Sequence, residues 1–267
     1  MALNLPGVAR ATAPWVACYA AIFICARVAG PHLFAHCKAL DGPGRGYWAS
    51  SAMSVVNGIM LPFLSLKEYA TSGIHTSGDF HFTTPGSHTM IYILLGYIAV
   101  DSCAIVYYRK AWKPYALYVH HSATLIGFTV MAAGGIFHNC AVFVVLTEGT
   151  ALFVHGRWFL SKAGLKQTTL YVVNAVLILF SWFALRVVML GWLLWQRVYV
   201  QSEAFLGIGQ PTVGAFLVIY GLMYALQIYW FWKIVSGLIV ILRGGGKSAS
   251  HDAGKGDTVA AKTKRGR

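Results

Sequence analysis

Two acids, Asp101 and Glu148, stand inside long apolar runs of this 267-residue chain, and an adjacent pair of histidines, His120 and His121, stands in another. An ionisable side chain in such a run is unfavourable unless it is paired, so each one marks a candidate site. A carboxylate beside an imidazole fixes the ring and its proton, which is the arrangement general acid–base chemistry needs. The same residue types ligate metals, but neighbouring positions on a helix diverge by about 100°. Only one histidine of the pair can then join Asp101 and Glu148, unlike the i, i+4 pair that grips zinc from one face. No metal is expected on this pattern. A purely architectural role, with interhelical hydrogen bonds and headgroup-level anchors, uses the same residues and stays open.

The elements that must position these residues are membrane spans. The chain is 57% hydrophobic and only 11% charged, yet its formal net charge is +13; soluble domains carry about 25% charged residues. Nucleic-acid binding would account for the basic excess but not for the apolar bulk or the nine tryptophans. Seven stretches are long and apolar enough to cross a bilayer, at 14–35, 47–65, 88–108, 116–133, 137–156, 168–195 and 211–242. Turn chemistry separates them, as in Asp41-Gly42-Pro43-Gly44 and Thr84-Pro85-Gly86. No stretch alternates like a strand, so the expected fold is an all-α, multi-pass transmembrane bundle of about seven spans.

The basic residues give that bundle a direction. Assigned to alternate sides, the loops and tail carry fifteen Lys and Arg on one side against three, Arg10, Lys67 and Arg197, on the other. Cytoplasmic segments carry such an excess, which puts the N-terminus in the lumen and the C-terminus in the cytosol. The chain then divides into a first span with its cytosolic loop (1–46), a main transmembrane domain (47–242) and a Gly/Lys/Ser-rich tail (243–267) expected to be disordered. The five cysteines form no C-x-x-C pair and read as packing residues. Arg186 reads as a snorkelling cation or one paired within the bundle, and Lys233 as a snorkeller.

Depth ties the polar residues together. Counted at about 1.5 Å per residue from the cytosolic ends, Asp101 lies about 10 Å deep, His120 and His121 about 6–8 Å, Glu148 about 12 Å and Asn57 about 15 Å. Four consecutive spans thus offer Asn, Asp, His-His and Glu within one shallow slab. Asp101, His120, His121 and Glu148 are the candidate catalytic set, and Asn57 joins Arg157-Trp158 at the cytosolic end of the fifth span as candidate lipid-contacting residues.

Several short motifs, in order along the chain, resemble the TLC domain. They are Trp48-Ala49-Ser50-Ser51, Val100-Asp101-Ser102, Tyr107-Tyr108-Arg109-Lys110, His120-His121, Leu146-Thr147-Glu148, the run from Phe153 to Phe159, and Trp232-Lys233-Ile234. The resemblance covers about 47–242 and implies a multi-pass endoplasmic-reticulum or other endomembrane protein, in a family that includes ceramide synthases and small lipid-homeostasis proteins. Ceramide synthases carry His-Asp-x-x-Asp before the glutamate corresponding to Glu148, whereas Cys140, Ala141 and Val144 stand there in this chain. Leu117 stands where they carry a further histidine, and Asn57, Leu152 and His155 also depart from common family residues. The chain therefore resembles the small, non-ceramide-synthase branch.

Three functions remain on this reading. In the first, the bundle holds a membrane lipid or acyl chain, with its head in the polar slab, and adjusts lipid composition. In the second, His121 serves an acyl-CoA-dependent N-acyltransferase as base or nucleophile, with Asp101 orienting it and Glu148 as a second acid–base group. Acyl-CoA would be the co-substrate there, its phosphates meeting Arg109, Lys110, Lys113 and Arg157. In the third, the protein is a membrane cargo receptor or chaperone. Membrane lipids are the expected partners, with no resident cofactor and no nucleic acid.

Overall fold

The structure, a computed structural model, describes residues 3–242, with side chains up to residue 239; the tail expected to be disordered lies outside the described residues. Seven helices are long and apolar enough to cross a membrane: Leu5–Leu33, Gly42–Ser72, Pro85–Tyr107, Tyr115–Gly134, His138–Lys162, Thr169–Val200 and Gln210–Ile239. No strand occurs among the described residues. The protein is an all-α, multi-pass membrane bundle.

The helices start and stop where backbone chemistry dictates. Asp41 accepts a hydrogen bond from the Gly44 amide at 2.7 Å and opens the second span ahead of Pro43. Thr84 and Ser87 exchange reciprocal bonds in a capping box ahead of the third span, and Thr168 caps the sixth. Gly73, Gly135, Gly164 and Gly209 hold positive φ just beyond helix ends. Because hydropathy marks only the apolar part of a helix, the helices run past the expected limits. Arg10, Lys67 and Arg197, assigned to outer segments from the sequence, all lie on spanning helices.

Contacts order the bundle. The second, third, fourth, seventh, sixth and fifth spans follow one another around a closed ring, and the first packs outside it against the second, third and fourth. Met53, Leu61, Ile91, Ile98, Phe128 and Val145 fill the apolar core between spans two to five. A second cluster, with Phe80, Phe137, Leu193, Phe205 and Phe216, closes the end opposite Tyr108. There Arg197 is buried and its guanidinium donates to the Ser77 and His75 carbonyls, fastening the sixth span to the loop after the second. Between the apolar layers lies a polar seam.

Candidate functional site

The seam is built on one face of the second span. Ser50, Ser54 and Asn57 recur at i, i+4 and i+7, so a helix stacks them on one side, and all three are buried. The third span answers with Tyr97 and Asp101, again one turn apart. Ser50 donates to Asp101 Oδ1 at 2.5 Å, Ser54 shares a hydrogen bond with the Tyr97 hydroxyl at 2.9 Å, and Ser54 also donates to the Ser50 carbonyl.

At one end of the seam the fourth span supplies His121. Its Nε2 lies 3.6 Å from Asp101 Oδ2, and its Nδ1 lies 3.1 Å from the Ser102 hydroxyl. One imidazole is thus held between a carboxylate and a hydroxyl that are neighbours on the third span. His120 takes the direction a helix imposes on the adjacent position. It turns away to meet the edge of Trp230 on the seventh span, with ring centroids 5.4 Å apart, and its Nδ1 is buried without a partner. The pair is split, as the divergence of about 100° requires.

At the other end stands Glu148. A single 3₁₀ turn, Thr147–Gly149, interrupts the fifth span at this residue. Asn57 donates to Glu148 Oε2 at 3.0 Å while accepting at Oδ1 from Tyr19 of the first span at 2.8 Å. The backbones come close here: a Cβ on Gly58 would sit 3.1 Å from the Glu148 carbonyl oxygen, so the absent side chain at Gly58 lets the second and fifth spans touch.

Arg186 completes the seam. Buried in a π-helical stretch of the sixth span, Trp182–Met189, it places Nη2 3.7 Å from Glu148 Oε1. It also donates from Nε to the Thr150 hydroxyl at 2.8 Å, from Nη2 to the Thr147 carbonyl at 3.0 Å, and from Nη1 to Gln227 of the seventh span at 3.1 Å. Its guanidinium lies over the Trp182 ring, 4.7 Å from the centroid. The cation pairs inside the bundle and does not snorkel. Lys233, by contrast, lies over the ring of Tyr229 one turn away.

The seam joins four of the seven candidate site residues read from the sequence, and a fifth, His120, lies beside it. Asp101 and His121 form one centre, Asn57 and Glu148 form another, and His120 borders the first. Arg157 and Trp158 lie apart from both. Arg157 is exposed and donates to the Tyr171 hydroxyl at 3.1 Å, while Trp158 packs on Tyr47 with ring centroids 4.8 Å apart. Seven contributors were not read from the sequence as part of the site: Tyr19, Ser50, Ser54, Tyr97, Ser102, Arg186 and Gln227. The i, i+4, i+7 spacing of Ser50, Ser54 and Asn57 was the available signal. His155 also enters the interior, with Nδ1 3.0 Å from the Ser51 hydroxyl. Among the described residues, no three His, Cys, Asp or Glu side chains gather closely enough to hold a metal ion.

Comparison with known proteins agrees with this architecture. The TLC domain matches residues 47–236, from the second span into the seventh. The chain is 26% identical over 149 residues to TLC domain-containing protein 2 of Danio rerio, covering 56% of this chain and 59% of that protein. It is 27% identical over 165 residues to TLC domain-containing protein 4-B of Xenopus laevis, covering 60% and 63%. With TLC domain-containing protein 1 of Gallus gallus the identity is 26% over 137 residues, covering 50% and 54%. The matches thus span a little over half the length of these relatives. No solved structure matches. Four of the seven spanning helices lie wholly within the matched segment and the second and seventh lie mostly within it, as does all of the polar seam except Tyr19, and the chain belongs to the TLC-domain family.

Proposed function

We propose that this protein acts in membrane lipid homeostasis by holding a lipid or acyl chain within its helical bundle, with the lipid's polar head at the Asp101–His121 centre. One observation carries the reading. Two sets of donors and acceptors lie inside an otherwise apolar bundle, Asp101, Ser50, His121, Ser54 and Tyr97 in one and Tyr19, Asn57, Glu148 and Arg186 in the other, and the ring contact of Tyr19 with Tyr97 joins them. Ionisable side chains within membrane spans are costly and mark functional sites by default, and this seam holds four of them, Asp101, His121, Glu148 and Arg186. A lipid headgroup is a polar ligand that the membrane itself supplies to such a seam. The charge excess supports a lumenal N-terminus and a cytosolic C-terminus, and the family resemblance supports the endoplasmic reticulum or another endomembrane.

Lipid profiles of cells lacking the protein, restored with wild type or with His121→Ala, test this. Restoration by wild type and failure by His121→Ala are expected. Profiles indifferent to the protein would remove the lipid reading and leave the cargo-receptor one.

A second reading rests on the seating of His121 between Asp101 Oδ2 and the Ser102 hydroxyl. That is the alignment acyl transfer uses, with a carboxylate orienting an imidazole that handles a proton. An acyl-CoA-dependent N-acyltransferase would use His121 as base or nucleophile, joining the acyl carbonyl carbon to an amine nitrogen and releasing the CoA thiol. Purified protein given acyl-CoA and long-chain amines tests it. Absence of any amide product across a panel of amines refutes it.

A further inference from the structure

Away from the seam, the reversal between the first and second spans builds a second polar site. The first span ends beyond Pro31, Phe34 is extended, and a four-residue helical turn, Ala35–Lys38, carries the chain back toward Asp41. This fold-back brings Arg27, Lys38 and Arg45, from three successive helices, to one cleft of about 830 Å³. Arg27 reaches across to donate to the Gly42 carbonyl at 3.4 Å, and Arg45 donates from Nη2 to the Lys38 carbonyl at 2.8 Å. Arg45 Nε is buried without an acceptor. Among the described residues, no carboxylate lies within 4.0 Å of any of the three cations. Buried Cys37 lies in the same positive field: burial raises its thiol pKa, and Arg45 and then Arg27 pull against that rise.

The rim of the cleft is different in kind. Val28 and Leu33 are 62% and 73% exposed on the outward side of the first span, where acyl chains would lie. A soluble anion has no use for that rim. A phospholipid fills both halves, with phosphate oxygens on the guanidinium and ammonium groups and chains along Val28 and Leu33.

We infer that this cleft is a binding site for the headgroup of an anionic glycerophospholipid from the leaflet next to the Asp41 turn. The site is separate from the bundle interior and does not rest on the function proposed for the seam. The neighbouring cleft beside Pro43, lined by Arg109 and Lys110, is about 430 Å³, and there Arg109 donates to the Val106 carbonyl at 3.0 Å.

Native mass spectrometry of the purified full chain, titrated with phosphatidylserine or phosphatidylcholine of identical chains, reads the site directly. Wild type should retain phosphatidylserine at least about tenfold better, given about 1 kcal/mol per basic residue near an anionic surface. Arg27→Gln/Lys38→Gln should lose most of that preference, Arg27→Lys should keep it, and Arg109→Gln/Lys110→Gln should bind like wild type. The Arg27 and Lys38 variants leave the Arg45–Lys38 backbone bond in place, and thermal unfolding in detergent checks that they remain folded. Equal retention of the two lipids by wild type overturns the inference. So does an undiminished preference in Arg27→Gln/Lys38→Gln, or an equal loss in Arg109→Gln/Lys110→Gln. Displacement of the lipid by millimolar inorganic phosphate would assign the cleft to a soluble anion and overturn it too.

Discussion

Replacing Arg186 with Met should be among the most destabilising single changes available in this bundle. The substitution keeps the volume of the side-chain stem but removes three hydrogen bonds, to Thr150, Gln227 and the Thr147 carbonyl, together with the ion pair to Glu148. Interhelical hydrogen bonds in membrane proteins average about 0.6 kcal/mol each, so the three bonds alone come to about 2 kcal/mol. The larger part is electrostatic. The Glu148 side chain is 15% exposed, and without Arg186 the remaining neutral donor to its carboxylate is Asn57. Breaking a buried ion pair from one side destabilises by about 3–5 kcal/mol, because the surviving charge is left uncompensated. Arg186→Met should therefore lower stability by that amount in a denaturant titration of the detergent-solubilised protein. Adding Glu148→Gln should restore about half of it, since the neutral amide needs no counter-charge. Arg186→Lys should fall between wild type and Arg186→Met, because an ammonium keeps the charge but loses the planar fork. A loss below about 1 kcal/mol in Arg186→Met, or a double variant no more stable than the single, would refute the paired-charge account.

Other consequences are independent of that pair. Ser50→Ala removes the donor to Asp101 Oδ1 and should lower stability by about 1–3 kcal/mol in the same titration, whereas Ser102→Ala, on the half-buried side of His121, should change it by less. Gly96→Ala would set its Cβ 2.6 Å from the Trp15 Cβ and 2.8 Å from the Trp15 carbonyl carbon, so the first and third spans must separate. A loss of about 1–3 kcal/mol is expected there, read in the same way. An epitope fused after Arg267 should be reached by antibody once the plasma membrane alone is permeabilised, and one fused before Met1 should not; the reverse pattern would invert the orientation.

Much of the bundle was legible in the sequence because bilayer thickness and hydrocarbon solvation act on every residue of a span. Seven apolar stretches gave seven helices, and their ends were missed where helices continue through polar caps, as at Gly42 and Val200. The Asp101–His121 contact follows from equal depth together with adjacent helices, but depth alone could not say that the fourth span leans its second histidine, and not its first, toward the third. Helical divergence predicted that the pair would split and left open which member would turn inward. Arg186 shows the limit more sharply. A cation in an apolar run reads the same from the sequence whether it snorkels or pairs, and here Arg186, on a π-helical stretch of its own span, donates to Thr147 and Thr150 at a 3₁₀ turn of the facing one. Tyr19 was silent for a related reason: a lone tyrosine in a first span looks like an interface anchor until Asn57 is seen to receive its hydroxyl. Arg157 and Trp158 were read from local composition, and the structure keeps them in the aromatic packing beside Tyr47 and Tyr171, away from the seam.

The proposed seating of a lipid head at the Asp101–His121 centre is open to direct measurement. Its most direct test is mass-spectrometric identification of lipids co-purified with wild type and with Asp101→Asn and His121→Ala, each confirmed as folded by thermal unfolding in detergent. One lipid class should be enriched on wild type over the bulk membrane and largely lost from both variants, with the enrichment unaffected by Arg27→Gln/Lys38→Gln at the peripheral cleft. Wild type carrying only the bulk lipid mixture, or an enriched class retained in full by both variants, would contradict it.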